Sequence, residues 1–441
     1  MKKWLLSVRC RCSDIASSAE GSGLSVKTTI AVLAGNFLEY FDLLLFAHML
    51  FIISPLFFPN DSKGIKELFE ITSFALGWFV RPIAALIFGY VADFISRKKM
   101  LIASTVMMGV STLMIASAPT YQSIGIWASL IILFCRFLQG FSNVGEFVGS
   151  TVYIVENAPP KYVNFFSSLV YVSSTLGGLC AALCGSVCVR VLGENPGWRA
   201  PFYIGSCIML LGVSLRRLLP DDRPKIAKKI VLWRELWDKK WPAIGGVFIN
   251  MCHPIVFYMV YTHIPKILKE QISCSADGIL LQSSVVLLYE IFVVAALGYA
   301  GDMFNIVKVA YLRSASVVLL AAPCAALIVY GHANRWLLLA AQIALISISH
   351  AELPVLASSV KCFSWSRVYS SFGFVWGIGR SIMYGLGPFL FGVSQKYCGK
   401  WGFAVVLMWM AASYAIGVFC LFKKPGRQKN NDEAGFVARA A

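Results

Sequence analysis

Along most of this chain apolar residues come in long unbroken runs, and polar residues gather in short connectors between them. A run of about 20 apolar residues is what a helix needs to cross a bilayer. From Met100 to Cys135 there is no Asp, Glu, Lys or Arg at all. The pattern predicts twelve spans, at about residues 28–55, 67–92, 98–118, 121–155, 163–189, 200–218, 241–265, 277–300, 306–331, 336–361, 366–395 and 401–422. Helix breakers mark many joints: Pro55 and Pro59, Pro119, Pro159 and Pro160, Pro196 and Gly197, Pro220 and Pro224, and Pro265. The longest polar connector, Leu219 to Lys240, lies between the sixth and seventh spans and divides the chain into halves.

Two connectors echo each other. "GYVADFISRKK" (Gly89–Lys99) joins spans two and three, and "GYAGDMFNIVK" (Gly298–Lys308) joins spans eight and nine. Both open on Gly-Tyr, carry an Asp at the fifth position (Asp93, Asp302) and close on a Lys. They stand at equivalent places in two six-span halves, which predicts a parallel duplication of the kind found in secondary transporters. The Asp ends its helix, where the dipole disfavours it. It is therefore expected to pair with a cation such as Arg97, four residues on, or to face the N-terminus of another helix.

Composition narrows the class further. With 58% hydrophobic residues, 14% charged and a mean hydropathy of +0.70, the chain cannot cover a water-facing surface. A net charge of +17 alone would suit nucleic acid, but the basic residues sit in the short connectors. With both termini on the cytoplasmic side, 27 Lys and Arg fall inside, nine outside and three (Arg81, Arg136, Arg380) within spans. That asymmetry follows the positive-inside rule. The expected fold is an all-α membrane protein of two six-helix bundles, 27–218 and 241–422, joined by a basic linker, 219–240, with cytoplasmic tails at 1–26 and 423–441. The start, "MKKWLLSVRCRC", resembles a secretory leader, but Arg9 and Arg11 interrupt its apolar part too soon. Cys180, Cys184 and Cys188 share a helix face and are read as packing residues rather than a metal or redox site.

Ionisable residues within spans are the functional candidates, because hydrocarbon tolerates them only when paired or wetted. Span one carries Glu39 and Asp42 three residues apart, with Asn36 on the same face. Two carboxylates that close do not both ionise comfortably without a nearby cation, so one is a candidate proton carrier. In span four Arg136, Gln139, Asn143, Glu146 and Ser150 recur at three- and four-residue spacings and form one polar stripe. Gly145 and Gly149 allow close packing beside it. Span five repeats the pattern more mildly, with Ser167, Tyr171, Ser174 and Gly178. The second half offers Asn250, His253 and Tyr261 in span seven, Glu290 in span eight, His350 and Glu352 in span ten, and Arg380 in span eleven. No HExxH, GxSxG, HxxxxD or phosphate-binding GxxxxGK motif occurs, so the sequence points away from an enzyme and from direct ATP coupling. No cofactor or metal is expected. The expected partners are a small solute, protons and the bilayer, with no nucleic acid, and the chain is expected to act as a monomer.

With these residues in view, the sequence resembles the major facilitator superfamily. The first connector is similar to its loop signature, G-x-x-x-D-x-x-x-R-[RK]-[RK]. "GNFLEYFDLLLFA" (Gly35–Ala47), "FVRPIAALIFGYVAD" (Phe79–Asp93) and "RFLQGFSNVGEFVGSTVYIVENAP" (Arg136–Pro159) resemble the metabolite:proton symporter family, and the proline/glycine-betaine permeases most. "SIGIWASLIILFCR" (Ser123–Arg136) and "GWRAPFYIG" (Gly197–Gly205) extend the likeness through span six. The resemblance implies proton-coupled uptake of a small organic solute by alternating access, in the inner membrane of a bacterium. It assigns Glu39, Asp42 and Glu146 to proton coupling, and Gly89, Asp93, Arg97, Lys98 and Asp302 to a cytoplasmic gate. Asn36, Arg81, Arg136, Gln139, Asn143, Tyr171, Asn250, His253, Glu290, Trp376 and Arg380 are the candidates for the solute cavity. Some features depart from the family. Ile306 and Val307 stand where the second loop would carry a basic pair, and "SNVGE" replaces a double glycine before Glu146. A zwitterion such as proline or betaine would suit Glu39, Asp42 and Arg136 together, with the aromatic faces of Tyr40, Phe41, Tyr171 and Trp376 for a quaternary ammonium. A dicarboxylate such as 2-oxoglutarate would instead favour Arg81, Arg136 and Arg380. A non-transporting receptor or a passive channel is the alternative from another class.

Overall fold

A computed structural model describes residues 26–58, 69, 72–73, 76–217, 232–331, 334–350, 352–365 and 367–423. The expected tails, the first part of the linker and the start of span two lie outside the described residues. The long helices are α1 (Val26–Phe57), α2 (Leu76–Phe94), α3 (Arg97–Ser117), α4 (Ile126–Asn157), α5 (Val163–Leu192) and α6 (Arg199–Arg217). They continue with α7 (Lys240–Glu270), α8 (Ala276–Met303), α9 (Ile306–Gly331), α10 (Arg335–Lys361), α11 (Val368–Cys398) and α12 (Gly402–Phe422). Among the described residues ten helices are long and apolar enough to cross a membrane, and α6 adds a shorter apolar stretch, Arg199–Ser214. Large apolar side chains such as Phe292, Leu210 and Leu319 stand exposed on the outside of the assembly. Buried Asn, Glu, Arg and Ser side chains lie within it. That inversion of the soluble pattern is what lipid as solvent requires, and the chain is a multi-pass membrane protein.

Three prolines shape the second half. Proline has no N–H to offer the carbonyl four residues back, and its ring crowds that carbonyl. Pro254 stands four after Asn250, where α7 breaks at Met251. Pro265 stands four after Tyr261, inside a π turn at Met259–His263. Pro354 stands four after His350, where α10 leaves the helix after Ser349 and passes through a 3-10 turn, Leu353–Val355, before Leu356–Lys361. Each break falls at a polar residue, and local π and 3-10 turns of this sort are frequent at functional sites.

The two echoing connectors make equivalent contacts across the molecule. Ser96 caps α3 by accepting from Lys99 N at 3.3 Å, and Asn305 caps α9 by accepting from Val307 N and Lys308 N at 3.1 and 3.2 Å. Asp93, at the end of α2, faces the start of α11, accepting from Tyr369 N at 3.3 Å, Ser370 N at 3.1 Å and Ser370 Oγ at 2.6 Å. Asp302, at the end of α8, does the same for α5, accepting from Asn164 N at 3.0 Å, Asn164 Nδ2 at 2.9 Å and Phe165 N at 2.7 Å. Each carboxylate thus sits on the positive end of a helix from the other half. The foreign helix N-terminus expected for Asp93 is present; the Arg97 side chain, the other expected partner, lies outside the described residues. The glycines that open the connectors allow the approach. A Cβ on Gly89 would stand 2.7 Å from Ser370 Cα, and one on Gly298 would overlap Ser168 Oγ.

A closer crossing lies in the first half. A Cβ on Gly140 of α4 would collide with the backbone carbonyl of Gly77 on α2. Backbone cannot move aside as a flexible side chain does, so Gly140→Leu should overpack this crossing by about 1–3 kcal/mol or more. Its apparent melting temperature in detergent should fall by several degrees. A melting curve equal to the parent's would show that the two helices spread freely.

Candidate functional site

The three polar residues of α1 share one side of the helix but meet three different neighbours. Asn36 Nδ2 donates to Val170 O, Ser173 Oγ and Ser174 Oγ on α5, each at 2.8 Å. Glu39 Oε1 accepts from Ser142 Oγ of α4 at 2.9 Å. Asp42 packs against Gly205 of α6, with Thr112 of α3 beside it. One turn of helix sweeps enough angle to divide them.

The polar stripe of α4 is buried along its length. Arg136 donates from Nε to Ser73 O at 3.2 Å and from Nη1 to Gln139 Oε1 at 2.7 Å, and its guanidinium lies 4.3 Å above the Phe46 ring. Gln139 passes the chain on to Thr112 Oγ1 at 3.3 Å. Asn143 makes no side-chain hydrogen bond among the described residues. Glu146 pairs at 2.5 Å with Arg216 Nη2 of α6, and both side chains are buried. Gly35 of α1 leaves the room for that pair, since a Cβ there would overlap the guanidinium. The cation whose charge acts on Glu39 is also Arg216. Arg136 is therefore held by a carbonyl and an amide rather than by the α1 acids.

A second cluster joins both halves. Arg81 of α2 is fully buried; its Nε reaches Gly77 O at 3.4 Å, while neither terminal nitrogen has a hydrogen-bond partner among the described residues. Its guanidinium lies 3.6 Å from the Trp78 ring and 5.0 Å from the Trp376 ring. Trp376 in turn stacks on Phe147 at 4.6 Å, and Trp78 stacks on Tyr384. Arg380 stands 5.0 Å from the Trp376 ring, but it is paired: Nη2 donates to Glu352 Oε1 at 2.7 Å and to Tyr171 Oη at 3.3 Å. Glu290 Oε1 lies 3.1 Å from His350 Nε2, and its Oε2 accepts from the Tyr261 hydroxyl. His253 and His350 face each other with ring centroids 5.0 Å apart. Asn250 turns back on its own helix, donating to Gly246 O at 2.8 Å. On the face opposite the echoing connectors, a cavity of about 350 Å³ between α1, α7 and α8 is lined by His48, Ser54, Tyr261, Thr262, Lys266 and Ser283 among others.

The structure thus gathers Arg81, Tyr171, His253, Glu290, Trp376 and Arg380, and leaves Glu39, Asp42, Gln139 and Glu146 in a separate layer between α1, α3, α4 and α6; Arg136 borders both, against Ser73 and the Gly77 whose carbonyl Arg81 reaches. Sequence reasoning missed Arg216, His48 and Trp78. Arg216 was hidden by its place beside Arg217 at the end of a span, where basic residues are ordinarily topological. His48, two turns after Asp42 on α1, carried a signal as an intramembrane histidine. Trp78 gave none, since an uncharged aromatic within an apolar span carries no charge to mark it.

Comparison with known proteins agrees with this architecture. The Major Facilitator Superfamily profile matches residues 35–382. The proline/betaine transporter of Escherichia coli (strain K12) is 26% identical over 362 residues, covering 77% of this chain and 69% of that protein. The citrate-proton symporter of Klebsiella pneumoniae is 32% identical over 311 residues, covering 67% and 70%. The solved structure of the proton:xylose symporter XylE bound to 6-bromo-6-deoxy-D-glucose superposes with a TM-score of 0.73 over 90% of this chain and 95% of its own, at 13% identity, and so speaks for the fold.

Proposed function

Because the chain belongs to the major facilitator superfamily, a family of transporters rather than enzymes, we propose that it is a proton-coupled symporter of a small organic solute bearing one carboxylate. Proline and betaine are the type. The observation that carries this reading is Arg81. A guanidinium buried at membrane depth with both terminal nitrogens unbonded, among the described residues, is costly. A bound carboxylate would satisfy both nitrogens with its two oxygens in the planar fork that arginine favours. The neighbouring faces of Trp376, Phe147 and Tyr171 suit the cationic end of a zwitterion.

The transport cycle in this reading is alternating access of two six-helix bundles, with α6 and α11 joining the ten apolar helices to give twelve spans. The termini and the echoing connectors are cytoplasmic, in the inner membrane of a bacterium. The Asp93 and Asp302 contacts close that side, and the cavity beside His48 and Tyr261 opens toward the other.

The second reading, a di- or tricarboxylate, has the similarity to a citrate-proton symporter in its favour. It would use Arg380 as well as Arg81. Arg380 is already neutralised by Glu352 at 2.7 Å, which weighs against a second carboxylate.

Arg81→Gln in reconstituted vesicles should weaken apparent affinity by about 2–3 kcal/mol, roughly thirtyfold or more, the worth of charge-assisted hydrogen bonds lost. Arg81→Lys should recover part of it. Proline and betaine should compete for uptake, and citrate and 2-oxoglutarate should not. Unchanged affinity in Arg81→Gln would remove this residue from recognition, and competition by citrate alone would select the polyanion.

A further inference from the structure

Glu290 lies in the middle of α8, far from any loop, and both its oxygens are engaged by groups able to pass a proton. Oε1 meets His350 Nε2 at 3.1 Å, and Thr175 Oγ1 of α5 stands 3.5 Å from it. Oε2 accepts a hydrogen bond from the Tyr261 hydroxyl of α7. His350 is fixed from behind by Ser349 Oγ, 2.7 Å from Nδ1. Facing it are His253 of α7 at 5.0 Å and Tyr171 of α5 at 5.9 Å between ring centroids. Beyond them stand the Arg380–Glu352 pair and Arg81, whose charges act on His253. On the other side Tyr261 faces His48 of α1, ring to ring at 5.9 Å, and both line the cavity of about 350 Å³. The cluster is therefore one Tyr261 side chain away from a space that water can enter.

Its charges are balanced in a particular way. Arg380 pairs with Glu352, on which Arg313 of α9 also acts, whereas Glu290 meets His350, Tyr261 and Thr175 and no arginine among the described residues. Glu352 is committed to Arg380 at 2.7 Å, which leaves Glu290 as the countercharge within the cluster that is not spent on an arginine. Neutralising it raises the attraction of the whole cluster for an external carboxylate.

We propose that the Glu290–His350 pair binds the coupling proton, and that the positive charge so gained strengthens the hold of Arg81 on the solute carboxylate. The inference rests on the symport reading above. A hydronium ion in the cavity gives its proton to the Tyr261 oxygen and is left as water, while the original Tyr261 O–H bond breaks and that proton bonds to Glu290 Oε2, beside His350 on the other oxygen. One proton enters, Tyr261 keeps one hydroxyl proton, and Glu290 becomes neutral. The solute carboxylate then meets Arg81 in a cluster that has gained one positive charge. On this assignment the layer of Glu39, Asp42 and Glu146 holds the first half together and does not carry the proton.

The test uses the full chain in proteoliposomes, with proline as probe, and compares solute counterflow with accumulation under an imposed pH gradient. Glu290→Gln should keep counterflow within a few-fold of the parent and lose accumulation. Its apparent affinity should no longer depend on pH, because the group that takes up the coupling proton is gone. Glu39→Gln should still accumulate. Tyr261→Phe keeps the ring and its packing; it should slow gradient-driven uptake and spare counterflow, and it serves if the Gln variant does not fold. Full accumulation by Glu290→Gln or normal uptake rates in Tyr261→Phe would overturn the assignment, as would accumulation lost in Glu39→Gln. A parent protein that exchanges proline but never accumulates it under the gradient would overturn the symport reading, and this assignment with it.

Discussion

Asp93→Asn combined with Asp302→Asn should hold the protein open on the face that carries the two connectors. Each carboxylate accepts three hydrogen bonds, two of them from backbone N–H groups in the first turn of a helix from the other half. The amide removes the charge that the helix end favours and turns one acceptor oxygen into a donor facing donors. At about 2 kcal/mol for each charge-assisted set, one substitution shifts the closed-to-open ratio roughly thirtyfold and both together roughly a thousandfold. Spin labels at the end of α2 and the start of α11 should show the longer distance becoming the main population in the double variant. Counterflow should slow far more than solute binding weakens. Distance distributions identical to the parent's would reduce both aspartates to ordinary caps.

The second large effect is expected at Glu146. Its carboxylate lies 2.5 Å from Arg216 Nη2, and neither side chain is more than 2% exposed. Removing one member of such a pair strands the other, typically at 3–5 kcal/mol, about the margin on which a fold stands. Glu146→Gln should thus lower the yield of monodisperse protein and its melting temperature sharply. Replacing both partners by apolar residues of similar size, Glu146→Leu with Arg216→Met, should recover most of the loss. The double variant also separates two roles for Glu146. Retained proton-driven accumulation marks a structural pair, and a stable protein that exchanges solute without accumulating it marks a coupling residue. A Glu146→Gln protein as stable as the parent would show that Arg216 finds another partner.

The stripe of α4 shows how far periodicity reaches. Arg136, Gln139, Asn143 and Glu146 were legible as one buried face because spacing on a helix is a local property, and all four are buried. Their partners were not legible. Arg136 meets a carbonyl of Ser73, Glu146 meets Arg216, and nothing in the spacing distinguishes these ends of the stripe. The same limit applies to α1, where Asn36, Glu39 and Asp42 share a side yet go to α5, α4 and α6. A few tens of degrees around the axis decide which neighbour each one meets. The breaks in α7 and α10 were only partly readable. Pro265 stood out as a breaker, whereas Pro254 and Pro354 lie within apolar runs, and their effect on Asn250 and His350 emerges four residues upstream.

The sequence by itself determined that this chain crosses a membrane many times, where the polar residues within the spans lie, and that two connectors 209 residues apart are equivalent. Those properties follow from transfer free energy and helical spacing, which act within a single segment. Only the tertiary structure decided which charges meet. Asp93 and Asp302 each cap a helix more than a hundred residues away, Arg216 leaves the ranks of the loop cations to neutralise Glu146, and Arg81 is left without a carboxylate among the described residues while Arg380 has one. Hydrocarbon makes every unpaired charge expensive, so the chain must find these partners. Which partner is found depends on the packing of whole helices against one another, a distance that no local pattern encodes.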